Sequence, residues 1–267
     1  MRARARVVVE RGPDGRCVVR ELRSQAPLSL VPQRGAVAAG ADAVTVHMIG
    51  SASAPLGGDD VALEVVVETG AAVALTGVAA TVALPGAGRS HVAVRLDVGD
   101  GASAQYLPEP TVVTRRAAHD TTLDVRLGAD ARVRCREVLV AGRSGEAGGS
   151  LRSHLRVADA AGPLLVQELE LGDPALHASP AYLAGHRVVA TEVLVWGDDP
   201  GDAESGPQWS LMPLARRGAL ACAVGPDAVA AQHDLARALA AHPGWSATVT
   251  DGLIGAMRCR PSPAGPR

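Results

Sequence analysis

Between Asp60 and Leu171 the chain repeats one pattern four times, and that repetition limits what it can fold into more than any other feature. The segments Val61–Val73, Val92–Ala104, Thr122–Val133 and Leu151–Gly162 can be laid over one another. Each is a short alternating run that ends in a small turn of Gly, Ala, Asp or Thr, and in the first three a second apolar run follows. Val67, Val98, Leu127 and Val157 occupy the same place before each turn, at spacings of 31, 29 and 30. Ala71, Ala102, Ala131 and Ala161 occupy the same place after it, again at 31, 29 and 30. Side chains that alternate apolar and polar, such as Val94, Leu96 and Val98 against Arg95 and Asp97, have the period of a half-buried strand. A period near thirty residues is the signature of stacked supersecondary units. The unit reads strand–turn–strand, so the expectation is an all-β fold with a stacked, helical β architecture and one or two helices.

Composition narrows the functions such a scaffold can carry. All 26 basic side chains are Arg; there is no Lys. A Walker-type phosphate loop needs its Lys, and so does Schiff-base chemistry, so both classes are excluded. The formal net charge of −2 offers no overall attraction to nucleic acid or an anionic membrane. With three Trp, two Tyr and no Phe, the stacking platforms of single-strand binders are missing, and the core must be built from Val, Leu and Ala. Cys17, Cys135, Cys222 and Cys259 show no C-x-x-C and no zinc-finger spacing. They read most simply as buried thiols of a reducing compartment, with two disulfides left open. The uncharged run from Thr69 to Gly88 has the length of a membrane span, but it is rich in Ala, Gly and Thr, contains Pro85 and continues an alternating strand. It is read as buried β structure, and the chain as a soluble cytoplasmic protein.

Around the repeats the chain reads as one β-rich domain over residues 1–260, with the repeats at 60–172 and a disordered tail at 261–267. Strands at 4–9 and 16–23 flank the turn Gly12-Pro13-Asp14-Gly15. Gln25–Gln33 is held to an edge or irregular role by Pro27 and Pro32, and Val44–Ile49 is a further strand. After Gly172 come a long apolar strand at Arg187–Trp196, an acidic loop at Gly197–Pro207 and two strands within Trp209–Val224. One helix is expected at Asp227–Ala241, capped by Asp227, with Ala228, Ala231, Leu235 and Leu239 on its inner stripe. Closing strands are expected at Trp245–Val249 and Leu253–Cys259.

Catalytic signals are weak. Gly142-Arg143-Ser144-Gly145 is one residue short of a nucleophile elbow and precedes no helix, and His119-Asp120 and His91 make no triad by adjacency. The eight histidines contain no H-E-x-x-H and no i,i+4 pair, although His91 and His119 precede matching strands and are placed to stack. Asp59, Asp60, Glu109, Glu137, Glu146, Glu168 and Glu170 are notable because several interrupt apolar strands. Arg132, Arg134 and Arg136 share one strand face, as do Glu168 and Glu170, and solvent is the expected environment of both sets. Glu109 stands between two prolines, which present its carboxylate rigidly.

Gly58-Asp59 before the first strand, Gly70-Ala71 with Leu75-Thr76 and Ala79-Ala80-Thr81, and Gly101-Ala102 followed by Leu107-Pro108-Glu109-Pro110-Thr111 together resemble the UreD (or UreH) urease accessory family. Gly142-Arg143 with Glu146, and Glu168-x-Leu-x-Leu, continue the likeness in order over roughly Pro27 to Gly172. The resemblance implies a β-rich, helically stacked fold and a non-enzymatic role. Such proteins bind urease apoprotein and act with a helical UreF partner and, through that complex, the GTPase UreG, to deliver nickel by an internal tunnel. By matching position it points to Asp59, Glu109, Glu146 and Glu168 as oxygen donors for nickel(II) in transit, with no permanently bound cofactor. Oxygen ligands release such a cation more readily than a fixed His/Cys cluster. Leu107, Pro108, Glu109, Pro110, Arg143 and Glu146, on the irregular connections, are the expected partner contacts. The chain departs from the family at Asp60 and Val82, where a basic residue is usual. Two other readings stand beside this one: a β-solenoid enzyme acting on polysaccharide, which the shortage of aromatics disfavours, and a purely structural repeat module.

Overall fold

The computed structural model describes residues 1–35, 42–177 and 179–245. Strand accounts for 54% of the structure and helix for 9%, so two sheets decide the fold. The strands in chain order begin with β1 (Arg2–Arg11), β2 (Cys17–Arg23), β3 (Leu28–Pro32) and β4 (Val44–Gly50). The repeat region supplies β5 (Asp60–Val67), β6 (Ala72–Gly77), β7 (Thr81–Ala83), β8 (Ser90–Val98), β9 (Ser103–Leu107), β10 (Thr111–Val113), β11 (Ala118–Leu127) and β12 (Arg132–Ala141). Then come β13 (Ser150–Asp159), β14 (Gly162–Leu171), two one-turn helices α1 (Pro174–His177) and α2 (Pro180–Leu183), and β15 (Val188–Val195). The described chain closes with β16 (Glu204–Ser205), β17 (Trp209–Pro213), β18 (Ala219–Gly225) and α3 (Ala228–Ala240).

The repeats wind between the sheets as coils. The first strand of each unit joins a seven-stranded sheet in the order β14-β13-β11-β8-β5-β1-β2, and the second joins an eleven-stranded sheet through β12-β9-β6-β4. Parallel neighbours stack like residues. Val7, Val65, Leu96, Val125 and Val157 form one inward row, and Val44, Val73, Ala104, Val133 and Val195 face them from the other sheet. All but half-buried Val44 are buried in one core cluster. Each fully buried Val or Leu contributes about 1.5–3 kcal/mol, and with no Phe available the core is filled by many small increments. The apolar run at 69–88 is part of this scaffold: it forms β6, β7 and their turns.

Four-residue turns carry the chain from one sheet to the next. Ala71 N–H donates to the Glu68 carbonyl at 2.9 Å, Ala102 to Gly99 at 3.1 Å and Ala131 to Gly128 at 3.4 Å. The residue before each alanine has positive φ: Gly70 at 67°, Gly101 at 61° and Asp130 at 52°. That conformation favours Gly and is tolerated by Asp, which explains the recurring Gly-Ala or Asp-Ala pair.

The fourth unit departs from the expected register. Leu127 pairs with Asp159, and Val157 pairs with Val125, so Val157 stands two residues out of line with Val67 and Val98. Ala161 belongs to the connection between β13 and β14, which pair antiparallel in the same sheet. Only Ala160 and Ala161 separate these strands, and a two-residue loop makes a hairpin where a four-residue turn crosses to the other sheet. The fourth unit therefore caps the stack.

Helix α3 begins as expected, with the Asp227 carboxylate accepting from Ala230 N–H at 2.8 Å. Ala231, Leu235, Ala238 and Leu239 are buried against β15, β17 and β18. Helices α1 and α2 were not foreseen. The expected strand at Leu253–Cys259, most of that at Trp245–Val249 and the tail lie outside the described residues. Cys17, Cys135 and Cys222 are free thiols. No helix among the described residues is long and apolar enough to cross a membrane.

Candidate functional site

The eleven-stranded sheet is interrupted at one point. β12 pairs with β9 through Cys135 and then with β10 from Leu139. Opposite the skipped residues run Pro108, Glu109 and Pro110, two of which have no N–H to give a ladder. On the other flank, β6 ends at Gly77 and β7 begins at Thr81. A Cβ at Gly77 would stand 2.5 Å from the Glu109 nitrogen, so glycine permits the close approach of this backbone. Thr81 N–H donates to the Pro110 carbonyl at 2.9 Å, and Arg136 Nη2 to the Pro108 carbonyl at 3.3 Å. These contacts fix Glu109 in place.

Behind the break lies a cavity of about 160 Å³, lined by residues of both sheets, with Glu109, Arg136, Glu137, Tyr106, His119 and Thr121 among its polar lining. Glu137 faces inward from β12. Ser153 Oγ donates to its Oε2 at 2.5 Å, and Thr121 supplies a second hydrogen bond. Burial raises the Glu137 pKa above the usual carboxylate range, against those two bonds. His119 is 1% exposed, and its Nδ1 lies 2.9 Å from Ser90 Oγ. Burial pushes its pKa down to about 4, with Asp120 opposing, so the ring is neutral at pH 7. Burial lowers the Arg136 pKa while Glu192 and Glu109 raise it. The site therefore combines two carboxyl groups, hydroxyls and one neutral imidazole with the Arg136 guanidinium.

The sequence-derived carboxylates are spread over the molecule. Asp59, 5% exposed, accepts from the Met1 α-ammonium at 2.7 Å and from Leu56 N–H at 2.8 Å, and the ammonium bond leads the lowering of its pKa. Glu146 binds the Arg143 Nε at 2.6 Å and the Arg115 N–H at 2.9 Å. The Arg143 bond is the largest cause of a pKa lowered to about 2. Glu168, with a side chain 79% exposed, stands 3.4 Å from His154 Nδ1 on the outer face of β14. Only Glu109 of these four lines the cavity. Among the described residues no three His, Cys, Asp or Glu side chains come together as a metal cluster. Leu107 is buried and Pro108 and Pro110 frame the break, whereas Arg143 is exposed on a turn well away in sequence.

Three expectations are corrected. His91 and His119 do not stack, because Ser90 pairs with His119 and His91 with Asp120; His91 is exposed on the outer face and His119 is buried inside. Arg134 is not solvent-facing. It is 4% exposed, ion-paired with buried Glu192 on β15, and lies 4.4 Å from the Trp245 ring centroid. Arg136 is half-buried; Arg132 alone is exposed.

The model of the family described as UreD urease accessory protein matches residues 1–260. The chain belongs to this family. It is 52% identical over 245 residues to the urease accessory protein UreD 1 of Saccharopolyspora erythraea, covering 91% of this chain and 96% of that one. It is 43% identical to the UreD of a Parafrankia species, covering 88% and 86%, and 37% identical to the UreD of Streptomyces coelicolor, covering 90% and 96%. Asp60 and Val82, where the resemblance leads to an expected basic residue, both have local roles. Asp60 Oδ2 accepts from Arg4 Nη2 at 3.1 Å, and Val82 is half-buried in β7 beside Val112. The cavity residues Glu137, His119 and Thr121, with Ser153 behind Glu137, are not marked as a group by sequence. The one available signal was a carboxylate within the apolar run of β12.

Proposed function

We propose that this chain is a non-catalytic cytoplasmic maturation factor that binds urease apoprotein and a helical UreF-like protein, with a UreG-like GTPase joining through that complex. In this reading it assists the insertion of nickel(II), which is cargo in transit and not a resident cofactor. Membership of a urease accessory family supports the system. The observation that carries the transit role is the cavity behind the broken sheet, with Glu109 at the break and Glu137 and His119 inside. Asp59, Glu146 and Glu168 lie outside that lining, which makes them weaker members of a path than Glu137.

The test is activation of urease apoprotein in cells carrying the wild-type chain, Glu137→Gln or Glu109→Gln. The expected result is at least a severalfold loss of urease activity and bound nickel for Glu137→Gln, with complex formation intact. Full activity and nickel content in both variants would remove the cavity from the path. The pH dependence has a fixed sign. Burial raises the Glu137 pKa, so its carboxylate forms only at higher pH than that of an exposed glutamate, and nickel loading through the cavity is expected to rise with pH. Glu137→Gln flattens that rise.

A further inference from the structure

The coils have two rims where the chain crosses between the sheets, and their repeat turns differ in charge. Crossing from the seven-stranded to the eleven-stranded sheet, the three repeat turns carry Glu68, Asp100 and Asp130, all exposed, and no arginine. Crossing back, the turns carry Arg89, then Arg115 and Arg116, then Arg143. Arg187, at the start of β15, lies on the same side and donates to the Ala141 carbonyl at 3.0 Å. Most of these guanidiniums are occupied. Arg89 Nε donates to Asp120 at 2.8 Å and its Nη1 to Ser150 Oγ at 3.1 Å, while Arg143 binds Glu146. Arg115 and Arg116 are different: both are exposed, and neither guanidinium has an ion-pair or hydrogen-bond partner among the described residues. Their turn is nonetheless fixed. Ala117 N–H donates to the Thr114 carbonyl at 2.9 Å, and the Arg115 N–H is held by Glu146 from the next coil. Arg116 sits at φ 66°, a left-handed conformation that costs an L-residue about 1 kcal/mol or more. No hydrogen bond or ion pair of its side chain among the described residues offsets that cost.

We infer that the Arg115–Arg116 turn is a docking surface for an acidic segment of a partner protein. Two unoccupied guanidiniums on a rigid turn present charged donors of the kind that carboxylates accept. The inference is independent of the metal-transit reading. The test measures binding of a fluorescent oligo-glutamate peptide to the full chain across a salt series, with oligo-lysine and single-stranded oligo(dT) in parallel. Arg115→Glu/Arg116→Glu is expected to weaken oligo-glutamate binding by roughly tenfold or more at low salt. Arg115→Gln/Arg116→Gly, which keeps a residue suited to positive φ, is expected to lose less affinity with no loss of stability. Arg16→Glu/Arg20→Glu, on exposed side chains of the first hairpin, should leave binding unchanged. Equal binding in wild type and Arg115→Glu/Arg116→Glu, equal loss in the control variant, or tighter binding of oligo(dT) than of oligo-glutamate would overturn the proposal.

Discussion

At the scale of the residue, glycines and one histidine decide more than the carboxylates first singled out. A Cβ at Gly128 would meet Asp100 Oδ1 at 2.4 Å and the Asp100 nitrogen at 2.7 Å, and one at Gly77 would meet the Glu109 nitrogen at 2.5 Å. Gly77→Ala is therefore expected to cost about 1–3 kcal/mol in urea unfolding, because backbone and not a flexible tip must move. His119 gives a pH signature. Its folded pKa of about 4 lies below the ordinary value of 6.5, so the unfolded chain binds more protons between them. The associated stability is complete above pH 6.5 and is lost as pH falls toward 4, by up to about 3 kcal/mol. Chemical denaturation across that range reads it directly, and His119→Gln should remove the slope. Glu146 has the same sign at lower pH. Its bonds to Arg143 and Arg115 persist above the ordinary carboxylate pKa and fade as pH falls toward 2, and high salt weakens them because the group is solvated.

Elements show how far such a sequence can be read. The inward valines, the Gly-Ala turns and the N-cap of α3 were all legible, since each is a local pattern with a local cause. Asp227→Ala should cost roughly 0.5–2 kcal/mol, seen as a lower midpoint in thermal unfolding of the helical signal. The reversal at β14 was harder to see, because GPLLVQELEL alternates as a coil strand does and only a turn shorter by two residues marks it. The cavity was not legible either. Glu137, Ser153 and Thr121 meet through strand register and sheet facing, which no spacing along one strand records. Register also organises the outer face of the seven-stranded sheet. Arg6, Glu64, Arg95, Asp124 and Arg156 lie in one row and alternate in sign. Parallel stacking would otherwise place like charges side by side, which destabilises a sheet. Glu64→Lys puts three positive charges in sequence and is expected to lower the urea midpoint at low salt, with recovery at high salt.

The whole molecule is a short stack with different closures at its two ends. β1 continues the parallel rows and β2 turns back antiparallel at one end, while the β13–β14 hairpin and the antiparallel strands β15, β18, β17 and β16 with α3 close the other. Each coil touches its neighbours along the stack, so stability accumulates from adjacent contacts. Hydrogen exchange should be slowest in β8, β11 and β12, which are paired on both sides, and fastest in β16 and the outer strands β2 and β14. Uniform exchange across all strands would contradict this ordering.

The break at Pro108–Glu109–Pro110 has one more consequence. Elsewhere in the sheet prolines stand only at strand ends, at Pro32 and Pro213, and a strand that slips or breathes can re-form its ladder between them. Here the missing N–H groups are a matter of covalent structure, so no fluctuation or bound partner restores hydrogen bonding through them. The opening is a window whose frame is written into the chain. It can be covered from outside, but it cannot be zipped shut.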